Sequence, residues 1–332
     1  MLARTADNLF WMARHIERAE NTARVLDVAH RSALLPLDME GTEAYLWYAP
    51  LNITGCAAGY EEKYGLARAD TVTHFMVLDP ENSSSIYSCL KLARENARAV
   101  RGAITSEMWE VINATWLEFN RISKQIDSEK FADLFYWVKD RSHLFRGVTL
   151  GTIHKDVALS FIKLGTFLER ADNTARILDV KYHILLPSVN DVGGAADYYQ
   201  WGSLLRSVSA FEAYRKIYRD VISPLRVAEL LILRDDMPRS LHACMNEVEA
   251  ALIDINGSSG FEARRLAGER HAGLHFGRID DVFEQGLHEY LTDFLEHIAD
   301  LGREIRNAYM SRRDHFAQMK SWPVLTPALD MQ

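Results

Sequence analysis

The segment ERAENTARVLDV spans Glu17–Val28, and a closely similar segment, ERADNTARILDV, spans Glu169–Val180. The two segments begin 152 positions apart, and ten of their twelve paired residues are identical. The two differences exchange one acid for the other and one β-branched residue for another. On an α-helix each segment separates into an apolar stripe and a polar stripe. We therefore expect two related amphipathic helices, called the motif helices below, to organise the fold.

Each motif helix places acids, an amide and a guanidinium along one side. We take these polar residues as the candidate ligand-binding residues. They are Glu17, Glu20, Asn21 and Arg24 in the first helix and Glu169, Asp172, Asn173 and Arg176 in the second. The i,i+4 spacing of Glu20 and Arg24 is that of a favourable ion pair, and the second copy repeats it. If the two polar stripes face each other, they enclose a site of the kind that helical bundles use for small molecules and metals.

The relation between the halves extends beyond the motif. Trp47 recurs as Trp201 and Tyr60 recurs as Tyr214, both 154 positions later, and we interpret all four rings as core aromatics. A nearly constant offset over this length is typical of a duplicated unit. We predict an all-α fold, a helical bundle of two tandem, diverged repeats of about 150 residues that pack with pseudo-twofold symmetry into one compact unit. The predicted divisions are a first repeat at 1–153, a second at 154–315 and an extended C-terminal tail at 316–332.

Helical periodicity sets the expected bounds of the main elements. The first helix is predicted from about Thr5 to just before Pro36. The second is predicted from about Thr42, with a bend near Pro50 and Gly55. Further expected elements are a short apolar piece at 72–78, the second motif helix at about 155–186 and one long helix at about 280–313.

Composition excludes several classes of protein. Hydrophobic residues make up 48% of the chain and charged residues 25%, as in soluble globular proteins. A net charge of −8 is unsuited to a general nucleic-acid binder, which needs a basic face. We find no apolar run of membrane-spanning length and no apolar signal core near the N-terminus. Three scattered cysteines do not form a disulfide framework, so we expect a cytoplasmic protein.

The motif residues allow two kinds of role. In a binding site, the paired arginines suit a carboxylate or phosphate group. The paired carboxylates suit an amine, a metal or acid–base work, and the candidate catalytic residues are then Glu17 and Glu169. In a structural role the same residues form either a solvated face or a buried polar network that holds the halves together. Ion-pair networks resemble sites in every sequence test, so the residues alone leave both roles open.

Metal binding is not predicted for this chain. Di-metal bundles need Glu-x-x-His pairs, and neither Glu17 nor Glu169 has a histidine three residues later. His271 and His275 have the i,i+4 spacing of a zinc pair, with Glu269 nearby, but the sequence offers no third ligand.

A basic stripe follows one helix of the first half. It consists of Lys91, Arg94, Arg98 and Arg101. Such a stripe is either a solvated helix face or a patch for an anion or a partner protein.

These residues resemble a known family. The opening segment RTADNLFWMAR at 4–14, both Glu-Arg-Ala-Glu/Asp-Asn-Thr-Ala-Arg segments, the Leu78-Asp79-Pro80 turn and QGLHE at 285–289 are similar to the bacterial Alpha-E proteins over nearly the whole chain. The resemblance implies an all-helical protein of unassigned activity. It further implies association with circularly permuted ATP-grasp proteins and transglutaminase-like peptidases. ATP and Mg²⁺ would then belong to a partner ligase, with no cofactor in this chain.

Three functional hypotheses follow. In the first, the chain is an accessory or substrate-binding component of an ATP-grasp-linked peptide- or amide-forming system, and a small zwitterionic or anionic ligand binds between the motif helices. In the second, it is an enzyme that uses a motif carboxylate as general acid or base, with or without Mg²⁺. In the third, it is a non-catalytic helical scaffold whose motif is a polar clasp. We expect no nucleic-acid or membrane partner, and the long acidic helical surfaces are compatible with a homodimer.

Overall fold

A computed structural model of the protein describes residues 1–33, 42–126, 130–184, 195–255 and 260–310. The described residues form fifteen helices and no strand, which confirms the predicted all-α fold. In chain order the helices are α1 (Ala3–Ala33), α2 (Thr42–Ile53), α3 (Ala57–Tyr64), α4 (Ala69–Val77), α5 (Ile86–Ala99), α6 (Ser106–Ile122), α7 (Phe131–Thr152), α8 (Val157–Ile184), α9 (Ala195–Ser207), α10 (Phe211–Tyr218), α11 (Pro224–Ile232), α12 (Leu241–Ile255), α13 (Phe261–His275), α14 (Ile279–Gln285) and α15 (Leu287–Tyr309).

The first motif helix, α1, lies at the centre of the molecule. It packs against α2, α4, α5, α7, α8, α9 and α15. Twenty-two of its 31 residues are buried, and they include both the apolar and the polar stripe. A helix that is buried on every side must satisfy its charged groups inside the protein, because water does not reach them. The second motif helix, α8, is the neighbour with which α1 makes its most extensive contact.

Close approach of the two motif helices depends on a glycine. A Cβ added at Gly165 would overlap the carbonyl oxygen of Phe10 and would lie 3.0 Å from its carbonyl carbon and 3.2 Å from the Cβ of Ala13. The Phe10 atoms belong to the backbone, so they cannot rotate away as a side chain would. The glycine at position 165, where the first motif helix has Ala13, therefore lets α8 lie directly against α1.

Two hydrophobic cores surround this pair of helices. The larger contains the N-terminal part of α1, most of α8 and the helices α12 to α15. The smaller contains Ala19, Ala23, Leu26 and Ala29 of α1 together with helices of the first half. All four predicted core aromatics, Trp47, Tyr60, Trp201 and Tyr214, are buried. The segment that carries Glu17 and Arg18 thus lies where α1 passes from one core to the other.

Glycines account for two places where the predicted helices were wrong. The single bent helix expected from Thr42 is two helices, because the chain turns through Gly55 at φ 65° between α2 and α3. The single helix expected at 280–313 is α14 and α15, because Gly286 at φ 99° ends the first and begins the second. Helical residues cannot adopt a positive φ, and only glycine does so without steric cost.

Other predicted bounds agree with the structure or cannot be compared with it. The first motif helix begins at Ala3, two residues before the predicted Thr5. The short apolar piece predicted at 72–78 lies in helix α4 up to Val77, and Leu78 is the C-cap of that helix. Ser85 caps α5, since its hydroxyl accepts a hydrogen bond from the backbone N–H of Ser88 at 3.1 Å. The prolines that follow the predicted ends of the two motif helices, Pro36 and Pro187, and the predicted tail at 316–332 lie outside the described residues. Within the described ranges no helix combines the length and the apolar character that a membrane span requires.

Candidate functional site

Glu169 of α8 is bound by two arginines of α1. Arg18 donates from Nε and Nη2 to the two carboxylate oxygens at 2.6 and 3.0 Å, and Arg14 donates from Nε at 2.7 Å. Burial alone would raise the pKa of Glu169, but Arg18 and Arg14 outweigh it and lower the pKa to about 2. The carboxylate is therefore held ionised inside the protein.

Glu17 of α1 has the corresponding arrangement with α8. Arg170 donates from Nε and Nη2 to its two oxygens at 2.9 and 3.0 Å. Arg239 and Arg146 add bonds of 3.1 and 3.0 Å. Burial opposes ionisation here as well, but Arg170 and Arg239 lower the pKa of Glu17. The two arrangements are reciprocal. Arg18, which follows Glu17, binds Glu169, and Arg170, which follows Glu169, binds Glu17.

Glu20 extends the network toward α7. Its carboxylate accepts from Arg239 at 2.6 Å, from Arg146 at 2.5 Å and from the hydroxyl of Ser142 at 2.6 Å. The predicted i,i+4 pair is present, because Arg24 Nε lies 2.8 Å from Glu20. Despite the opposing effect of burial, these cations lower the pKa of Glu20 well below its ordinary value.

Cations outnumber carboxylates in this part of the network. Among the described residues, four arginines contact Glu17 and Glu20, and they are Arg24, Arg146, Arg170 and Arg239. Burial lowers the pKa of Arg239, although the two carboxylates act in the opposite direction. A buried excess of positive charge is costly unless an anion compensates it.

The amide and hydroxyl of the motif have backbone or arginine partners. Asn21 Oδ1 accepts a hydrogen bond from Arg239 at 3.1 Å, whereas its buried Nδ2 has no partner among the described residues. Thr22 donates to the carbonyl of Ser84 at 3.5 Å, and Thr174 donates to the carbonyl of Arg239 at 2.9 Å. The two threonines therefore bind the segments that lead into α5 and α12.

The second copy of the motif makes fewer contacts. Asp172 and Arg176 form the predicted i,i+4 pair at 2.8 Å, and both side chains are mostly buried. Asn173 is also buried. Burial would lower the pKa of Arg176, but Asp172 outweighs it and raises that pKa. The structure brings Glu17, Glu20 and Glu169 into direct contact with arginines of other helices and leaves Asp172 paired within its own helix.

This geometry limits what the motif carboxylates can do chemically. A general base needs a pKa near the working pH and an accessible lone pair, and Glu169 has neither. A cation at Glu17 would have to displace three guanidinium groups that already occupy its oxygens. The Glu17 and Glu169 pairs are thus suited to fixing α1 against α8, and not to acid–base chemistry or to binding a cation.

A pocket of about 220 Å³ lies at one end of the network. Its lining residues are Arg24, Asp27, Val28, Arg31, Tyr136, Lys139, Arg206, Ser209 and Glu212. Arg24 is the only predicted site residue in this lining. Its Nη1 donates to the hydroxyl of Ser209 at 2.6 Å, and its Nη2 lies 3.2 Å from Nε2 of His143. The motif arginine therefore connects the buried carboxylates to an open cavity.

The pocket presents charges of both signs. Asp27 accepts from Arg31 at 2.9 Å and from Lys139 at 2.7 Å. Arg206 lies over the Phe211 ring at 4.2 Å, with no ion pair to another described residue. Ser209 has φ 54°, a strained conformation for a residue with a side chain, and such strain is typical of ligand sites.

The basic stripe is only partly free. Arg94 donates to Asn113 and to Glu95, both at 2.8 Å, and Arg101 lies over the Trp109 ring at 4.9 Å. Lys91 and Arg98 are exposed. Arg98 lies 3.7 Å from Glu95, so among the described residues Lys91 and Arg101 carry the charge of this surface that has no carboxylate partner.

Sequence reasoning did not identify most of the partners in the network. The arginines that it missed are Arg14, Arg18, Arg146, Arg170 and Arg239. A signal was present for two of them, because Arg18 and Arg170 belong to the repeated segment and follow its glutamates directly. Adjacent residues on a helix do not face each other, so the glutamate and the arginine of one Glu-Arg dipeptide cannot form an ion pair. When two facing helices both carry the dipeptide, the glutamate of each can pair with the arginine of the other.

Comparisons with known proteins bear on the same dipeptides. The Alpha-E family model, described as "a predicted alpha-helical domain with a conserved ER motif", matches residues 1–310. Glu17-Arg18 and Glu169-Arg170 fit that description. The chain is 25% identical over 314 residues to an uncharacterized protein of Mycobacterium bovis and to one of Mycobacterium tuberculosis. These alignments cover 88% of the chain and 35% of each relative, so the chain spans about a third of the length of these curated relatives. No solved structure matches the chain.

Proposed function

The chain belongs to the Alpha-E family, and on this premise we propose that it is a substrate-binding component of an ATP-grasp-linked peptide- or amide-forming system. Its ligand is a small zwitterionic or anionic molecule, bound in the pocket at Arg24. The ATP-dependent step belongs to a circularly permuted ATP-grasp partner, and a transglutaminase-like peptidase is a further partner of the system. The observation that carries the proposal is the contact of a motif arginine with a cavity of mixed charge.

The excess of buried cations supports an anionic group on the ligand. Arg24, Arg146, Arg170 and Arg239 share only Glu17 and Glu20 as carboxylate partners among the described residues. Of these four arginines, Arg24 lines the pocket and directs Nη1 to a neutral hydroxyl. A ligand carboxylate or phosphate beside Arg24 would compensate the excess and gain charge-assisted hydrogen bonds.

The remaining pocket charges support a small and zwitterionic ligand. Arg206 and Glu212 are exposed residues of opposite charge in the same lining. A volume of about 220 Å³ is below the ~300–1,000 Å³ of pockets for drug-sized molecules, so an amino acid or short peptide is the appropriate size class. Arg206 and Arg24 would bind the ligand's acid together, and Glu212 would bind its amine.

The locked carboxylates favour binding over catalysis by the motif. A stand-alone enzyme would need Glu17 or Glu169 to exchange protons, and arginines hold both ionised. We assign the two Glu-Arg pairs instead to a clasp, as in the scaffold hypothesis, with the ligand beside it.

We also propose that the chain is a tandem pair of diverged helical repeats related by a pseudo-twofold axis, with the clasp on that axis. The reciprocal bonds of Arg18 to Glu169 and of Arg170 to Glu17 support this proposal. Further support comes from hydrogen bonds that occur at corresponding positions of the two halves. Thr22 and Thr174 each donate to a backbone carbonyl. Tyr60 and Tyr214 each donate from Oη to a backbone carbonyl, six and seven residues later in the chain.

Calorimetric titration tests the pocket. The probes are L-glutamate, glycylglycine and inorganic phosphate, each up to millimolar concentration. We expect at least one probe to bind with one site per chain and Arg206→Ala to weaken it at least tenfold, because that exposed guanidinium faces the pocket. The matched control is Arg98→Ala, an exposed arginine of α5 outside the pocket, which should bind as the wild type does. Absence of binding by every probe, or equal binding by Arg206→Ala, would overturn the pocket assignment.

The partner is tested separately. Co-purification with a circularly permuted ATP-grasp protein from the same genome should give a complex at micromolar concentration. The double charge reversal Lys91→Glu/Arg98→Glu should weaken this complex if the basic stripe is the docking patch. A basic patch binds an acidic surface of the partner, and reversing its charge makes the two surfaces repel each other. Arg278→Glu, an exposed reversal near α14, is the control. No complex at micromolar concentration would count against the accessory role.

A further inference from the structure

Three histidines meet where α12 packs against α13. His271 and His275 are the i,i+4 pair on α13, and His242 in the first turn of α12 joins them. One ring nitrogen from each lies within 4.8 Å of the other two. The three ring centroids are 5.4 to 5.8 Å apart. The third ligand that the sequence did not reveal is thus 29 residues upstream, on a neighbouring helix.

The tautomer of His242 follows from its hydrogen bond. Its Nδ1 lies 2.8 Å from the carbonyl oxygen of Leu233, and a carbonyl only accepts, so Nδ1 carries the proton. The neutral ring then has its lone pair on Nε2. This atom is buried and has no hydrogen-bond partner among the described residues. A buried lone pair without a donor is costly, and a metal ion would satisfy it.

His271 is oriented in the same way. Its Nδ1 lies 2.5 Å from Oε2 of Glu249, which leaves Nε2 available. A carboxylate or carbonyl behind the histidine, on the nitrogen opposite the metal, is the usual support for a metal-binding imidazole. Glu249 also supplies a negative charge near the site. Glu269, the acid considered from the sequence, is occupied with Arg265 at 3.0 Å and is exposed.

We propose that Nε2 of His242 and one ring nitrogen each of His271 and His275 bind one divalent transition-metal ion of the zinc class. The ion would enter from solvent on the side of His275, the exposed member of the three. Nitrogens around a tetrahedral zinc at ~2.0–2.1 Å lie about 3.3 Å apart, so the rings close inward by roughly an ångström on binding. Three histidines leave the fourth position to water, which is the composition of an open zinc site.

Metal uptake by the full chain tests this site. Protein stripped with EDTA is titrated with Zn²⁺ by calorimetry and with Co²⁺ by visible absorption, which reports nitrogen coordination. We expect one ion per chain and a rise in Tm with added Zn²⁺, since a ligand specific to the folded state stabilises it. His271→Ala and His275→Ala should each weaken binding at least tenfold and remove the rise in Tm. Glu249→Gln should weaken binding about 10- to 100-fold, as is usual for such supporting groups.

The control is His154→Ala, because His154 is an exposed histidine outside the cluster. It should bind the ion as the wild type does. His275 is exposed, so its substitution decides the question even if the buried His242→Ala fails to fold. Failure of the wild type to take up one equivalent at micromolar Zn²⁺, or unchanged binding by both His271→Ala and His275→Ala, would overturn the proposal.

Discussion

Arg18 and Glu169, 151 positions apart in the sequence, form an ion pair of two hydrogen bonds at 2.6 and 3.0 Å. Both residues have exact counterparts in Arg170 and Glu17, which pair in the opposite direction between the same helices. Buried pairs of this kind add little to stability compared with apolar packing, but they fix which faces of two helices meet. In this chain both pairs join the same two faces of α1 and α8.

Substitution of Glu169 by glutamine should destabilise the protein strongly. The shape is kept, but Arg14 and Arg18 lose their common anion in a buried position. We expect the free energy of unfolding to fall by about 3–5 kcal/mol, measured by urea denaturation. Glu262→Gln removes an exposed acid that also pairs with an arginine, and its midpoint should match that of the wild type. A Glu169→Gln midpoint equal to that of the wild type would refute the clasp.

Gly165→Ala should separate the motif helices. The added Cβ overlaps the backbone of Phe10, so the helices must shift, at a cost of about 1–3 kcal/mol in unfolding free energy. Gly147→Ala is the matched control, because Gly147 is an exposed residue within α7 with no atom near the added Cβ. It should instead stabilise by ~0.5–1 kcal/mol through helix propensity. Equal effects of the two substitutions, read from thermal melts, would contradict the close packing.

Stability should fall in mild acid because of His15. Burial, reinforced by Arg18, lowers the pKa of this histidine from 6.5 to about 3, and neither ring nitrogen has a partner among the described residues. The unfolded chain therefore binds a proton below pH 6.5 that the folded chain refuses. The free energy of unfolding that the neutral ring contributes is fully present above pH 6.5 and is lost as the pH falls toward 3. Between pH 6.5 and 5 the Tm should decrease.

His15→Phe should reduce the decrease in Tm between pH 6.5 and 5, because phenylalanine does not bind a proton. Phenylalanine is chosen because Phe167 occupies the corresponding position of the second motif helix. The carboxylates with lowered pKa values act mainly below about pH 4.5, so they do not obscure the comparison. Parallel Tm curves for the wild type and His15→Phe between pH 6.5 and 5 would disprove the assignment.

Gly286→Ala should weaken the joint between α14 and α15. The residue has φ 99° and ψ 125°, a region that an alanine adopts at a cost of ~1–3 kcal/mol. Circular dichroism should show an unchanged helix content with a lower Tm. A higher Tm would indicate that the two helices merge into the single helix that the sequence predicted.

Local sequence patterns predicted the fold better than they predicted the site. Periodicity identified both motif helices, and the aromatics paired across the halves are buried, because these signals depend on which residues face a core. Gly55 was predicted to bend a helix and not to end it, and Gly286 was not recognised as a break, since a glycine within a periodic segment is often tolerated in a helix. Residues 34–41 and 185–194, where the motif helices were predicted to stop, lie outside the described ranges.

The partners of the motif could not be read from spacing. Arg146 and Arg239 reach Glu17 from positions 129 and 222 residues away, on elements whose placement depends on the whole packing. The same holds for His242, which lies on a different helix from the histidine pair. The pocket is formed by α1, α7 and the residues around α9, which are far apart in the sequence. Of the predicted site residues, Arg24 alone lines it.

The central position of α1 has a consequence for biosynthesis. This helix leaves the ribosome before any of its neighbours, yet α8 and α15, against which it packs, are translated much later. Until then the side of α1 that packs against α8 and α15 is exposed on the nascent chain, with its charged and apolar residues together. A chain truncated before α8 would leave Glu17 without Arg170 and would leave the side of α1 that packs against α8 uncovered. Such a chain should be a substrate for proteases or chaperones.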